Sequence, residues 1–258
     1  MILLMKPQVL RQVGRTLVFY GHTMIAEIQL VYMRSTLRHL GIYSVGGASN
    51  RDWEDMAIGP GPVDGQQYLY IGDIGDSLAQ YDIKYIYRVP EPCVDPNQKP
   101  VNTMVAGAER IAFRYPDGRE DAETLMIDPL TKDIYVVSKW GKGVRVYRVP
   151  YPQATTDTMT LEYIATLGFS QAVSGDISPS GLEILIKTYA TVYHWRRAPG
   201  QNLQDVFIDD PSRIQYSMEP QGEAICWKAN DIGYYTFREE LLGIPAHLYF
   251  YPVITHYQ

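Results

Sequence analysis

The chain is short of cysteine, of phenylalanine and of positive charge. Two cysteines, Cys93 and Cys226, allow one disulfide at most and fit a reduced pair equally well, so no disulfide framework shapes the fold. There is no N-x-S/T sequon. No apolar run approaches the 18 or more residues of a membrane helix, which argues against a membrane partner. The start, MILLMKPQVLRQVGR, is interrupted by Lys6, Arg11 and Arg15, and a secretory signal needs a longer uncharged stretch. A net charge of −6 argues against nucleic acid as the main partner. No G-x-S-x-G elbow, H-E-x-x-H pair or phosphate loop occurs, so serine hydrolases, zincins and nucleotide binders have no motif support.

What is abundant is tyrosine, with 21 copies against 6 phenylalanines. Tyrosine suits half-buried pleated surfaces with its hydroxyl at a wet edge, which favours strands. Five short tyrosine strands recur: LVYM with Tyr32, IYRV with Tyr87, VYRV with Tyr147, VYHW with Tyr193 and LYFY with Tyr249. They stand roughly 50 residues apart, the length of one propeller blade. An apolar run precedes each, and LGIYSV, RIAFRY, EYIATL and DVFID follow the first four as outer strands. Four acid-containing strands, WEDMAIG, AETLMID, GDIS and GEAICW, lead the last four units. Turn chemistry such as Gly-Pro, Asp-Gly and Pro-Ser-Gly lies between strands.

This order predicts an all-β chain folded as a single β-propeller of five four-stranded blades, with six as the alternative count. The first blade lacks an acid strand and is incomplete, and the fifth has no clear fourth strand. Residues 1–15 read as an N-terminal segment, either a closing strand or a truncated start, ahead of a propeller over 16–258. A monomer is expected.

In a propeller, the start of the innermost strand and the end of the next strand share one face of the disc. The innermost strands bring Asp52, Glu54 and Asp55, then Asp121 and Glu123, then Asp176, then Glu223 to that face. The second strands bring His22, Asp73 and Asp76, Lys139, Lys187, Arg238, Glu239 and Glu240. Each acid alone is explained by turn chemistry. Turns do not call for glutamate, however, and Glu54, Glu123 and Glu223 recur at one register. Converging carboxylates repel unless a cation compensates them. Oxygen ligands with few histidines favour calcium, so Glu54, Asp121, Glu123, Asp176 and Glu223 are expected ligands of Ca²⁺. GDIGDS does not match an EF-hand loop. Trp53 and Trp227 read as blade-packing aromatics, and His194 as a structural residue of its strand.

Taken together, NRDWEDMAIGPG, YLYIGDIGDS, DAETLMIDPLTKDIYVVSK, SGDISPSGLEILIKTY and QGEAICW resemble a family of uncharacterised bacterial and animal propeller proteins. Its members carry DWED, GDIGDN, DAETL, DISPDG and GEAI at these places. The resemblance spans about residues 16 to 255. It implies the propeller fold and an extracellular location, and it brings no established chemistry. The first blade departs from it, since YGHTMIAEI stands where the family has a His- or Asn-Asp loop.

Three functions stay open. One is a carboxylate- and lysine-lined channel that holds calcium and hydrolyses a small ester, lactone or phosphate. The second is a non-catalytic module binding a protein or glycan. The third is a glycoside hydrolase, which would use a few non-equivalent carboxylates rather than a repeated set.

Overall fold

The computed structural model describes residues 7–13, 16–21, 27–33, 37–95, 97–219, 222–238 and 247–253, giving only the backbone for those before residue 40. His22, Glu239 and Glu240 lie outside the described residues.

The first sheet holds β1 (Pro7–Val13), β2 (Thr16–Gly21), β3 (Glu27–Met33) and β4 (Leu37–Val45). The second holds β5 (Trp53–Pro60), β6 (Gln67–Asp73), β7 (Lys84–Pro90) and, after a separate β8 (Val101–Val105), β9 (Glu109–Arg114). The third holds β10 (Ala122–Ile127), β11 (Ile134–Ser138), β12 (Val144–Val149) and, beyond β13 (Thr158–Thr160), β14 (Glu162–Leu167). The fourth holds β15 (Ala172–Ile177), β16 (Glu183–Thr188), β17 (Val192–Arg196) and, after a short helix α1 (Leu203–Val206), β18 (Ser212–Ile214). The last holds β19 (Gly222–Trp227), β20 (Gly233–Arg238) and β21 (His247–Pro252).

The propeller arrangement stands, and the tyrosine repeat explains its regularity. Tyr87, Tyr147, Tyr193 and Tyr249 pair with Ile71, Val136, Ile186 and Thr236. Those residues pair in turn with Met56, Leu125, Gly175 and Ile225 of the innermost strands. Four blades are therefore built on one register, against the five or six blades expected. The first sheet is described largely by its backbone, and its β1 adjoins both β19 and β5.

One outer-strand expectation fails. DVFID folds as the end of α1 and the turn after it, because Leu203, Val206 and Phe207 bury a face at helical spacing. The outer strand is β18 instead. The edges of the first two sheets are covered by strands from a following loop: β8 pairs parallel with β4, and β13 pairs parallel with β9. Covered edges deny another chain a pairing template.

The core is a set of apolar layers between neighbouring sheets. Ala57, Tyr70, Phe113, Leu125, Val136 and Tyr147 fill one layer, and Met126, Tyr135, Ile184, Trp195 and Phe207 another. Each fully buried side chain of this size contributes about 1.5–3 kcal/mol. Cys93 is exposed and Cys226 buried, and both are free thiols. No helix among the described residues is long and apolar enough to cross a membrane.

Candidate functional site at the channel mouth

All four innermost strands from β5 onward carry a register shift at the same point, between Trp53 and Asp55, Ala122 and Thr124, Ala172 and Ser174, and Gly222 and Ala224. A bulge leaves one residue unpaired in the ladder and re-aims its side chain. The bulged residues are Glu54, Glu123, Val173 and Glu223. Three blades thus present a glutamate at one register, and the fourth-sheet strand presents valine.

The three glutamates act on a common neighbour, Tyr189. Its hydroxyl donates to Glu223 Oε1 at 2.6 Å. Burial first, then the Glu223 bond and the charges of Glu223, Glu123 and Glu54, push this phenol far above the ordinary tyrosine range. Glu123 is ion-paired with Lys139, and both side chains are largely buried. The Lys139 ammonium lies 5.1 Å from the Trp140 ring centre and 5.7 Å from that of Tyr189. Trp140 is half exposed, and its indole N–H donates to Asp121 Oδ2 at 2.9 Å, which fixes the ring at the rim.

Glu54 has a second acid beside it. A Cβ placed on Gly75 would lie 2.5 Å from both Glu54 Oε1 and Asp52 Oδ2, so any side chain there would push the two carboxylates aside. The two carboxylate oxygens are consequently close neighbours over the Gly75 backbone, whose N–H donates to the Asp52 carbonyl at 3.2 Å.

The other acids hold the scaffold. Asp73 accepts the Arg51 and Asp52 backbone N–H groups at 3.1 and 2.8 Å and pairs with the Arg51 side chain. Asp76 accepts from Gln80 N–H, Tyr81 N–H and the buried Lys84. Burial opposes its ionisation, but those donors outweigh it and hold the carboxyl below its usual range. Asp121 Oδ1 accepts the Asp76 N–H at 2.7 Å and so ties two blades together. Asp55 accepts the Leu125 N–H of the neighbouring innermost strand at 2.8 Å and the Ser174 hydroxyl of the next at 3.3 Å.

Two expected mouth residues stand elsewhere. Asp176 lies three residues deeper than the bulge, where its Oδ2 accepts the Trp227 N–H at 2.7 Å. The bulge in that strand falls on Val173, so Asp176 does not join the glutamates. Lys187 is offset by two from Lys139, since Lys187 pairs with Ser174 whereas Lys139 follows Ser138, the partner of Ala122. It is fully buried, donates to the carbonyls of Gly222 and Thr188, and sits over the Tyr216 ring. Burial lowers its pKa to about 8, against the opposing pull of Glu219 and Glu223. Tyr189 takes the position equivalent to Lys139 in the next blade. Neither it nor Trp140 carries a signal of its own in a chain with this many aromatics.

Among the described residues, no three acids, histidines or cysteines are placed to hold one metal ion. Glu123 and Glu223 already have Lys139 and Tyr189 as partners.

No protein-family profile and no curated protein matches the chain. Solved structures do. A gluconolactonase from Xanthomonas campestris is similar at 13% identity and a TM-score of 0.50, over 92% of this chain and 68% of that one. A protein provisionally identified as TolB from Agrobacterium tumefaciens follows at 12% identity and 0.47, over 95% and 76%. Another, provisionally a 6-phosphogluconolactonase from Bacteroides fragilis, gives 10% identity and 0.44, over 94% and 87%. At such identities the likeness shows the propeller fold alone.

Proposed function

We propose that this propeller binds a small polar ligand at the glutamate-lined mouth and hydrolyses an ester or lactone bond there. The observation that carries the reading is the placement of Glu54, Glu123 and Glu223 at one bulge register, all acting on the Tyr189 phenol. A carboxylate at such a mouth is suited to general-base work. Glu54, with Asp52 beside it, is assigned to take a proton from water as the water oxygen bonds to the acyl carbon. The carbon–oxygen bond to the leaving alkoxide then breaks, and the alkoxide recovers that proton from Glu54. Lys139 is assigned to stabilise the developing oxyanion, and the half-exposed Trp140 to meet the body of the ligand.

The test is hydrolysis by the purified protein of a panel of small lactones and aryl esters, followed by proton release, with calcium and with chelator as separate arms. The likeness in fold to a gluconolactonase makes sugar lactones the first compounds to assay. Turnover that falls about 100-fold or more in Glu54→Gln supports the reading. Absence of turnover across the panel, or turnover unchanged in that variant, overturns it.

A second reading has its own observation in favour. Lys139 already pairs with Glu123, Tyr189 holds Glu223, and Trp140 stands exposed beside them, which is the make-up of a binding surface. Ligand-induced thermal stabilisation without turnover would select the non-catalytic module.

A further inference from the structure

At the opposite end of the channel, where the innermost strands finish, lies a cavity of about 240 Å³. That is far above the roughly 10–15 Å³ that one water molecule needs by the same measure. Ile58, Ile127, Ile177 and Trp227 form much of its wall. Its ionisable lining groups are Glu91 and Asp176, and no lysine or arginine lines it. We propose that this cavity is a binding pocket for a small organic cation, an alkylammonium with a short aliphatic body.

The cavity sets an uncompensated negative charge beside apolar surface. Glu91 sits partly buried at the cavity wall, and no hydrogen bond or ion pair to its carboxylate is present among the described residues. Burial alone pushes its carboxyl above the usual range. Gln67 and Ser178 are the neutral polar side chains of the wall, and neither compensates the charge of Glu91 as an incoming cation does. Asp176 adds a second negative charge, and its bond to the Trp227 backbone N–H holds one of the lining residues in place. The isoleucines take up the alkyl part. An anion would meet two like charges, and a neutral polyol would bury hydroxyls against the isoleucine wall.

The site is separate from the glutamate mouth, so its test needs no activity. The full chain is titrated calorimetrically with butylammonium, butanol and butyrate at matched ionic strength, at pH 7.5 and at pH 4.5. Saturable binding of butylammonium alone is expected, weakened about tenfold or more in Glu91→Gln. It should also weaken at pH 4.5, because Glu91 takes up a proton as pH falls through its raised pKa. Glu91→Gln lies in a loop and keeps the side-chain volume, so its melting temperature should match the wild type. The proposal is overturned by absent binding of butylammonium, by equal binding of butanol, or by a Glu91→Gln protein that binds as well as the wild type.

Discussion

The Arg197 guanidinium places one nitrogen 3.0 and 2.9 Å from the two carboxylate oxygens of Asp128, and both side chains are buried. Asp128 belongs to the turn after β10, and Arg197 to the segment after β17, so the pair links two adjacent blades. Removing one partner of a buried pair leaves the other charge uncompensated. Arg197→Met should therefore cost about 3–5 kcal/mol, measured by urea unfolding. A loss below about 1 kcal/mol would mean that Thr131 and the Leu130 N–H, which also donate to Asp128, suffice to hold the carboxylate.

Much of this organisation was readable from the chain, for a definite reason. Tyr87, Tyr147, Tyr193 and Tyr249 each need one face in an inter-blade layer and a hydroxyl near its edge, so the tyrosine strand repeats in the sequence as it does in space. The glutamates were also readable, because WED, AET and GEA put the same acid at the same bulge. Asp176 falls away from the glutamates because register there is set by the bulge at Val173, and an apolar residue leaves no mark in the sequence. Lys187 resembled Lys139 in its position near a strand end, yet an offset of two residues carries it from the mouth into the interior. Tyr189 and Trp140 act through where the turns set them, which no local pattern records.

The buried Lys187 makes a pH prediction. Its pKa is lowered from 10.5 to about 8 by burial, so between those values the unfolded chain holds a proton that the folded protein has released. Stability tied to Lys187 must then rise with pH across that window, by about 3 kcal/mol in total. Buried tyrosines oppose this above pH 10: burial raises Tyr70 to about 12, so unfolding is favoured as exposed phenols ionise. The difference in unfolding free energy between wild type and Lys187→Met isolates the lysine. It should shift in favour of the wild type from pH 8 to pH 10, and a constant difference would show that Lys187 titrates normally.

Gly75 offers a way to disturb the mouth without touching its acids. A methyl group there meets Glu54 Oε1 and Asp52 Oδ2 at 2.5 Å. Gly75→Ala should displace both carboxylates and lower lactone or ester turnover about tenfold or more, in line with the sensitivity of catalysis to misplaced groups. Urea unfolding separates this from a loss of fold. Turnover equal to that of the wild type, in a variant of normal stability, would remove the Asp52–Glu54 pair from the chemistry.

Lys139 is the cation that compensates Glu123, and its removal tests whether the mouth holds calcium. Lys139→Met takes the ammonium from Glu123 and leaves the buried Lys187, which acts on Glu223, as the remaining cation near the glutamates. Their oxygens, not placed to hold one ion in the wild type, would have to draw together to take a hard divalent ion. Loss of the largely buried pair should first lower stability by about 3 kcal/mol in chelator. Millimolar calcium should then raise the melting temperature of the variant by more than that of the wild type, since binding to the folded state alone adds about 2.7 kcal/mol at a hundredfold excess over Kd. Magnesium should do less, because it demands octahedral geometry that side chains from separate strands do not supply. If wild type and Lys139→Met respond to calcium equally, or neither responds, the glutamates do not lie close enough to share an ion and Lys139 serves only to neutralise Glu123.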